Sequence, residues 1–310
     1  MDFLSILGLG QTALELGLIT GLTVLALFLS YSMLNICDLS TDGCFTLGAA
    51  VGATVAAAGY PYLSIFAAMG AGIVSGLITA FLQTKMGIDS LLSGIIVNTG
   101  LYSINIAIMG SSQVNLNKAD TVFTKMNSLL AETAFSGQSK LVVILIAVVL
   151  VVLFLSVFLK TKLGLAIRAT GNNSAMVKSS SINPVFTIII GLCISNAFTG
   201  LSGCLMAQYN KSANIDIGSG IVTIALASLL IGRAFMGKGK LVFRIIGAVI
   251  GSFVFRLVYT IALRFNMPAS MLKLVSSVIV IIAIAGPYFK KQIPNIRRKF
   301  ASNKRGGEAK

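Results

Sequence analysis

The sequence predicts an all-α membrane protein, a polytopic bundle of about nine transmembrane helices with two short ones among them. Three observations carry that expectation. Of 310 residues, 56% are hydrophobic and only 11% charged, where a soluble domain carries about 25% charge. Apolar runs long enough to cross a hydrocarbon core of about 30 Å recur along the chain. The charges are uneven, 24 Lys and Arg against 9 Asp and Glu for a net +15, and on a membrane chain such an excess encodes orientation rather than nucleic-acid binding.

Long apolar runs cover 13–35, 62–83, 88–110, 139–159, 184–207, 241–263 and 269–288. Two shorter segments, 43–58 and 218–235, are rich in small residues and introduced by polar loops. The first reaches only about 24 Å as a helix, marginal for a crossing. The opening run is too long for a signal-peptide core, and no Lys or Arg precedes Lys85, so it is expected to remain as the first span.

Orientation follows from the cations. With loop 161–183 inside, nine alternating spans place 17 of the 24 cations inside, six outside and Arg256 within a span. The N-terminus is then outside and the C-terminus cytoplasmic. A single transmembrane domain covers 1–288, and 289–310 is a basic cytoplasmic tail. The outer loop 111–138 holds a short amphipathic helix near 126–135, and no soluble domain is expected.

The residues disfavour catalysis. His is absent, which removes the usual general base and the commonest metal ligand. Cys37, Cys44, Cys193 and Cys204 have neither zinc nor redox spacing and read as membrane packing. Gly232 to Gly239 fits G-x4-G-K but lacks the Ser or Thr of a phosphate loop and follows an apolar helix, so it reads as a turn between spans. Neither a catalytic residue, a metal nor a cofactor is expected.

Polar residues at membrane depth are the candidates for transport. Asp38, Ser40, Thr41 and Asp42 lead into the first short helix, either as its cap or as part of a solute path. Asn214-Ile-Asp216-Ile-Gly218-Ser219 leads similarly into the second. Paired short helices in corresponding halves point to a transport site. Asn98 and Asn105 lie within a span, where hydrogen bonding between helices competes with lining a path. Gly48-x3-Gly52, Gly72-x3-Gly76 and Gly247-x3-Gly251 allow close helix approach. In loop 161–183, Asn172 or Asn173 is placed to cap a short helix over Ser174–Ser180, ended before Pro184.

These elements together resemble the permease subunits of bacterial ABC importers of the branched-chain amino acid and ribose type. Asp38-Leu-Ser40 with Gly43 is similar to that family's D-L-S-x-G element, with one extra residue. Arg168-Ala169-Thr-Gly171-Asn172-Asn173-Ser-Ala175-Met176, followed by Ser181-Ile182-Asn183, resembles its inside R-A-x-G-x-N element. Ile231-Gly232-Arg233, Gly237-Lys238-Gly239 and the glycine-spaced helix after them resemble a third. Met176, Ser181 and Arg233 depart from the family pattern and suggest a divergent branch, closer to permeases sometimes linked to aromatic amino acids.

The resemblance implies a multi-pass permease of the bacterial inner membrane for a small polar solute, an amino acid or related metabolite, working by alternating access. It implies partners: cytoplasmic ABC ATPase subunits, an extracytoplasmic solute-binding protein and a second permease chain, expected to be identical. Arg168, Ala169, Gly171, Asn172, Asn173, Ala175 and Met176 would couple to the ATPase. Asp38, Ser40, Thr41 and Asn98 would lie on the translocation path. The rival reading is an ion-coupled secondary transporter, which would want acids nearer mid-membrane.

Overall fold

The computed structural model describes residues 3–129, 138–236, 239–264, 274, 277–281 and 285. The first apolar run forms α1 (Phe3–Leu27), which widens into a turn of π-helix over Phe28–Met33. Helices α2 (Thr41–Ala57), α3 (Pro61–Thr84) and α4 (Ser90–Met109) follow. A strand β1 (Gln113–Asn115) and a short helix α5 (Val122–Leu129) precede α6 (Ser139–Phe158). Helices α7 (Lys162–Asn172) and α8 (Ser174–Ser179) lead into α9 (Pro184–Asn210). The chain continues through β2 (Ser212–Asn214), α10 (Ile221–Met236) and α11 (Leu241–Arg264).

Among the described residues six helical stretches are long and apolar enough to cross a membrane. They match the expected runs from the first through 241–263 to within a few residues. The expected run 269–288 lies outside the described residues, apart from the helical residues 274, 277–281 and 285. The amphipathic helix expected at 126–135 begins earlier, at Val122, and 130–137 is likewise outside. Two elements were not anticipated. Residues 162–172, read as loop, form a helix, and β1 pairs antiparallel with β2 through Val114 and Ala213.

Burial separates the centre from the rim. In α1, 78% of the apolar stretch is buried and in α9 61%, against 28% in α4 and in α6. The two central helices run antiparallel, as Ser202 Oγ donating to the Ile19 carbonyl (2.6 Å) and Ser195 Oγ donating to that of Ala26 (2.8 Å) show. Around α9, small residues let backbones meet. A Cβ on Gly200 would lie 2.5 Å from the Ala68 carbonyl oxygen of α3, one on Gly48 of α2 would collide with Gly200, and one on Gly203 would collide with the Phe45 carbonyl. Since lipid tails solvate apolar side chains as well as protein does, such close van der Waals approach is what holds membrane helices together.

Those contacts also fix depth. Gly48 meets Gly200 and Gly52 meets Cys204, while Cys44 Sγ donates to the Asn196 carbonyl (3.4 Å). The start of α2 therefore lies level with the middle of α9, and its end with the β-ribbon. Glycines 232 and 251 set α10 antiparallel on α11, where Cβ atoms would strike Gly247 and Ser228. Helix α10 runs from the level of Asp42, where Gly218 packs on the Asp42 carbonyl, to an end at which Arg233 and Met236 lie near Ser32 of the π-turn and Arg244 of α11. The two short segments are helices of 17 and 16 residues, shorter than the six long ones. Each is entered through non-helical backbone, 34–40 and 215–220, which membrane depth tolerates only inside protein or along a cavity.

Gly200→Val should force α3 and α9 apart and cost about 1–3 kcal/mol. The expected outcome is a melting temperature in detergent lowered by several degrees, and an unchanged one would show that the contact yields without cost.

Candidate functional site

The break before α2 is held by a buried polar network. Asp38 is 1% exposed. Its Oδ1 accepts from the Ser40 amide (2.9 Å) and Ser40 Oγ (2.6 Å), and its Oδ2 accepts from Asn196 Nδ2 (2.9 Å). Thr79 Oγ1 of α3 donates to Ser40 Oγ (3.2 Å), and Thr41 Oγ1 donates to the Asp38 carbonyl (2.9 Å). Asp38, Ser40 and Thr41 thus bind the broken segment to α3 and α9. All three are buried and stand behind the cavity described below.

The capping expected of Asp38 and Asp42 takes a different form. Ser40 occupies the cap position of α2 without a side-chain hydrogen bond to the helix. Asp42, in the first turn, reaches across to another helix. Its Oδ2 accepts from the Gly220 amide (3.0 Å) and its Oδ1 from the Val222 amide (2.8 Å). One carboxylate therefore serves the N-terminus of α10 while sitting at that of α2. A helix start carries about half a positive charge, so two starts are matched by one Asp.

Beside this junction lies a polar cavity of about 450 Å³, walled by α2, α4 and residues 215–219. Asp42, Thr46, Asn98, Tyr102, Asn105 and Asp216 line it. Asn98 and Asn105 stand two turns apart on one face of α4, against the start of α2. Asn105 Nδ2 donates to the Gly43 carbonyl (3.3 Å), which fixes the amide orientation and leaves its buried Oδ1 without a partner. Of the four expected path residues, the structure brings Asn98 to this cavity. Asp42, Asn105 and Asp216 join it there. Asp216 was visible in the sequence as the polar lead-in to the second short helix.

At the opposite end from the β-ribbon, α7 and α8 form a bracket. Thr161 Oγ1 caps α7 by accepting from the Gly164 amide (3.2 Å), and Asn173 Oδ1 caps α8 by accepting from the Met176 amide (3.1 Å). Thr170 and Thr187 hydroxyls share a hydrogen bond (2.8 Å) that ties α7 to α9. Gly171 is pressed on the Met33 carbonyl at the end of the π-turn, so it fits the bracket to the bundle. Arg168 and Ala169 are half-buried, whereas Asn172, Asn173, Ala175 and Met176 are exposed, Met176 to 68%. Buried Val177 anchors α8 from beneath. Leu163 and Leu165 add apolar surface on the same bracket.

The buried networks of Asp38 and Asp42, the polar cavity beside them and the bracket at one end sit in a helical membrane bundle with two short helices entered through non-helical backbone. The family model for the branched-chain amino acid transport system, permease component, matches residues 11–284. The chain belongs to that family, as a permease of ABC-transporter type. It is 33% identical over 270 residues to the tyrosine transport system permease protein of Clostridioides difficile (strain R20291), covering 86% of this chain and 88% of that one. It is 30% identical over 278 residues to the uncharacterized protein RP368 of Rickettsia prowazekii (strain Madrid E), covering 88% and 96%. The ribose import permease of Escherichia coli (strain K12) is 26% identical over 222 residues, covering 70% and 67%. No solved structure matches.

Replacing Asp42 by Ala removes both acceptors at the α10 start. A loss of about 1–3 kcal/mol is expected, read as a lowered melting temperature. Asp42→Asn, with one amide oxygen, should fall between that variant and the parent.

Proposed function

We propose that the chain forms the translocation pathway of an ATP-binding cassette importer for a small polar solute, with an amino acid or related metabolite as the solute. The observation that carries this reading is the polar cavity where the starts of the two short helices meet. Paired broken helices facing a mid-membrane site are how transporters present backbone dipoles and side-chain amides to a solute. The family match and the tyrosine permease relative support the importer class and the solute class. Asp38 and Asp42 have their oxygens engaged in structural hydrogen bonds, which favours a chain energised by another subunit over the ion-coupled alternative.

In this reading ATP is hydrolysed on separate cytoplasmic ATPase subunits. The exposed tip of the bracket, Asn172, Asn173, Ala175 and Met176, seats in the ATPase, while Arg168, Ala169 and Gly171 transmit its movement to α1. A solute-binding protein delivers to the β-ribbon end, and two identical chains line one pathway, each contributing its cavity. Alternating access then means that ATPase closure shifts the bracket and biases the bundle between two states. Asp38, Ser40 and Thr41 keep the broken segment in place along that path, and Asn98 touches the solute.

Sidedness rests on charge. Lys160, Lys162, Arg168, Lys178, Arg233, Lys240 and Arg244 flank the helix ends at the bracket, the distribution of a cytoplasmic face. The N-terminus is then outside and the basic tail 289–310 cytoplasmic, in a bacterial inner membrane.

The test is ATP-driven uptake of tyrosine into proteoliposomes holding the permease, its ATPase and its binding protein. Asn98→Leu should lower uptake at least tenfold, roughly 1.4 kcal/mol or more, with the melting temperature kept. Met176→Asp should abolish solute-stimulated ATP hydrolysis while the folded protein accumulates normally. Uptake and coupling equal to the parent in both variants would overturn the assignment.

A further inference from the structure

A second cavity, of about 730 Å³, lies outside the proposed path and is almost wholly apolar in its lining. It is a groove on the membrane-facing side between α3 and α6. Its floor is one stripe of α9 running from Cys193 through Ala197 and Leu201 to Leu205. Phe66 and Ile73 of α3 form one wall, and Ile146 and Leu150 of α6 the other. These wall residues are exposed, Phe66 to 71% and Leu150 to 61%. Nothing in the transport reading uses them.

Length and charge identify what covers the groove. From Cys193 to Leu205 the floor rises about 18 Å at 1.5 Å per residue. That is close to one leaflet, half of a hydrocarbon core of about 30 Å. A spanning helix, whether from another protein or from a second copy, needs an apolar face twice as long. At the inner end Phe154 lines the groove, packed edge-on to Phe198 at 5.8 Å and stacked on Phe158 at 5.6 Å. At the outer end, towards the β-ribbon, stand Tyr62 and Met126. The adjoining Lys125 holds its Nζ 6.0 Å from the centre of the Tyr62 ring. Among the described residues no acid forms an ion pair with Lys125.

An apolar slot one leaflet deep, with an interfacial tyrosine and a lysine at its mouth, has the form of a phospholipid site. We infer that the groove holds one acyl chain of an anionic phospholipid from the leaflet facing the β-ribbon, with the phosphate against Lys125. The lipid fills a gap that α3 and α6 leave over α9, and so joins the two helices laterally. This inference is independent of the solute.

The chain has no tryptophan, so one introduced indole reports alone. Ile146→Trp places it in the groove, and Leu77→Trp, on an exposed part of α3 outside the groove, serves as reference. Both are reconstituted in phosphatidylcholine vesicles with increasing dibrominated phosphatidylglycerol. Half-maximal quenching of the groove indole is expected at a mole fraction roughly fivefold lower than for the reference, the preference one interfacial lysine supplies. Lys125→Gln should abolish that difference. Equal curves for the two indoles, or no quenching in the groove, would overturn the site. If Ile146→Trp does not insert, Leu150→Trp replaces it. Mass spectrometry of the unaltered protein extracted from mixed vesicles should retain one phosphatidylglycerol per chain, and retention no greater than for phosphatidylcholine counts against the proposal.

Discussion

One carboxylate holds the middle of this protein together. Asp42 accepts two backbone amides of α10 from the first turn of α2, and so fixes two helix starts that the chain separates by about 180 residues. Helices pointing their positive ends at one another in a low-dielectric interior would repel. A single negative charge between them turns that repulsion into a bond. The depth of α10 and the position of the cavity wall over 215–219 both follow from where this side chain can reach.

The break before α2 is secured differently. Asp38 has no helix start to neutralise, and it draws Ser40, Thr79 and Asn196 into a network that spans three elements. Around that network the glycines of α2, α3 and α9 bring backbones into contact, so the broken segment is clamped on two sides. Buried polar groups at this depth are costly unless satisfied. Asp38 and Asp42 are paired at both oxygens, whereas the Oδ1 atoms of Asn196, in the Asp38 network, and of Asn105, beside the cavity, are buried without a partner.

Much of the frame was legible in sequence because it is written in local terms. Run length located the long helices, small-residue content and polar lead-ins located the two short ones, and the Asn172-Asn173 pair announced α8. The misses share a physical cause. The Asp42 contact joins residues distant in sequence, and no periodicity encodes it. Asp38 and Asp42 read as caps of one helix start, yet α2 begins at Thr41, and Asp38 turns towards α9 and Asp42 towards α10. Helix α7 was recoverable, since Ala166, Ile167 and Thr170 are buried at helical spacing. Its Lys162, Arg168 and Thr170, with two glycines, gave it the composition of a loop. The β-ribbon, three residues a side, is too short and polar to leave a pattern.

The descent from β2 to α10 is a series of tight turns, with the amides of Ile217, Ser219 and Ile221 closing on the carbonyls three residues back. Part of the cavity wall is therefore main chain, whose hydrogen-bonding capacity is the same whatever side chains it bears. Substitutions at Ile215 or Ser219 leave those peptide groups in place, whereas Gly218 is pinned by the carbonyl it rests on. On the proposed reading, a solute would meet main chain on this wall and side chains on the wall opposite, where α4 presents Asn98, Tyr102 and Asn105.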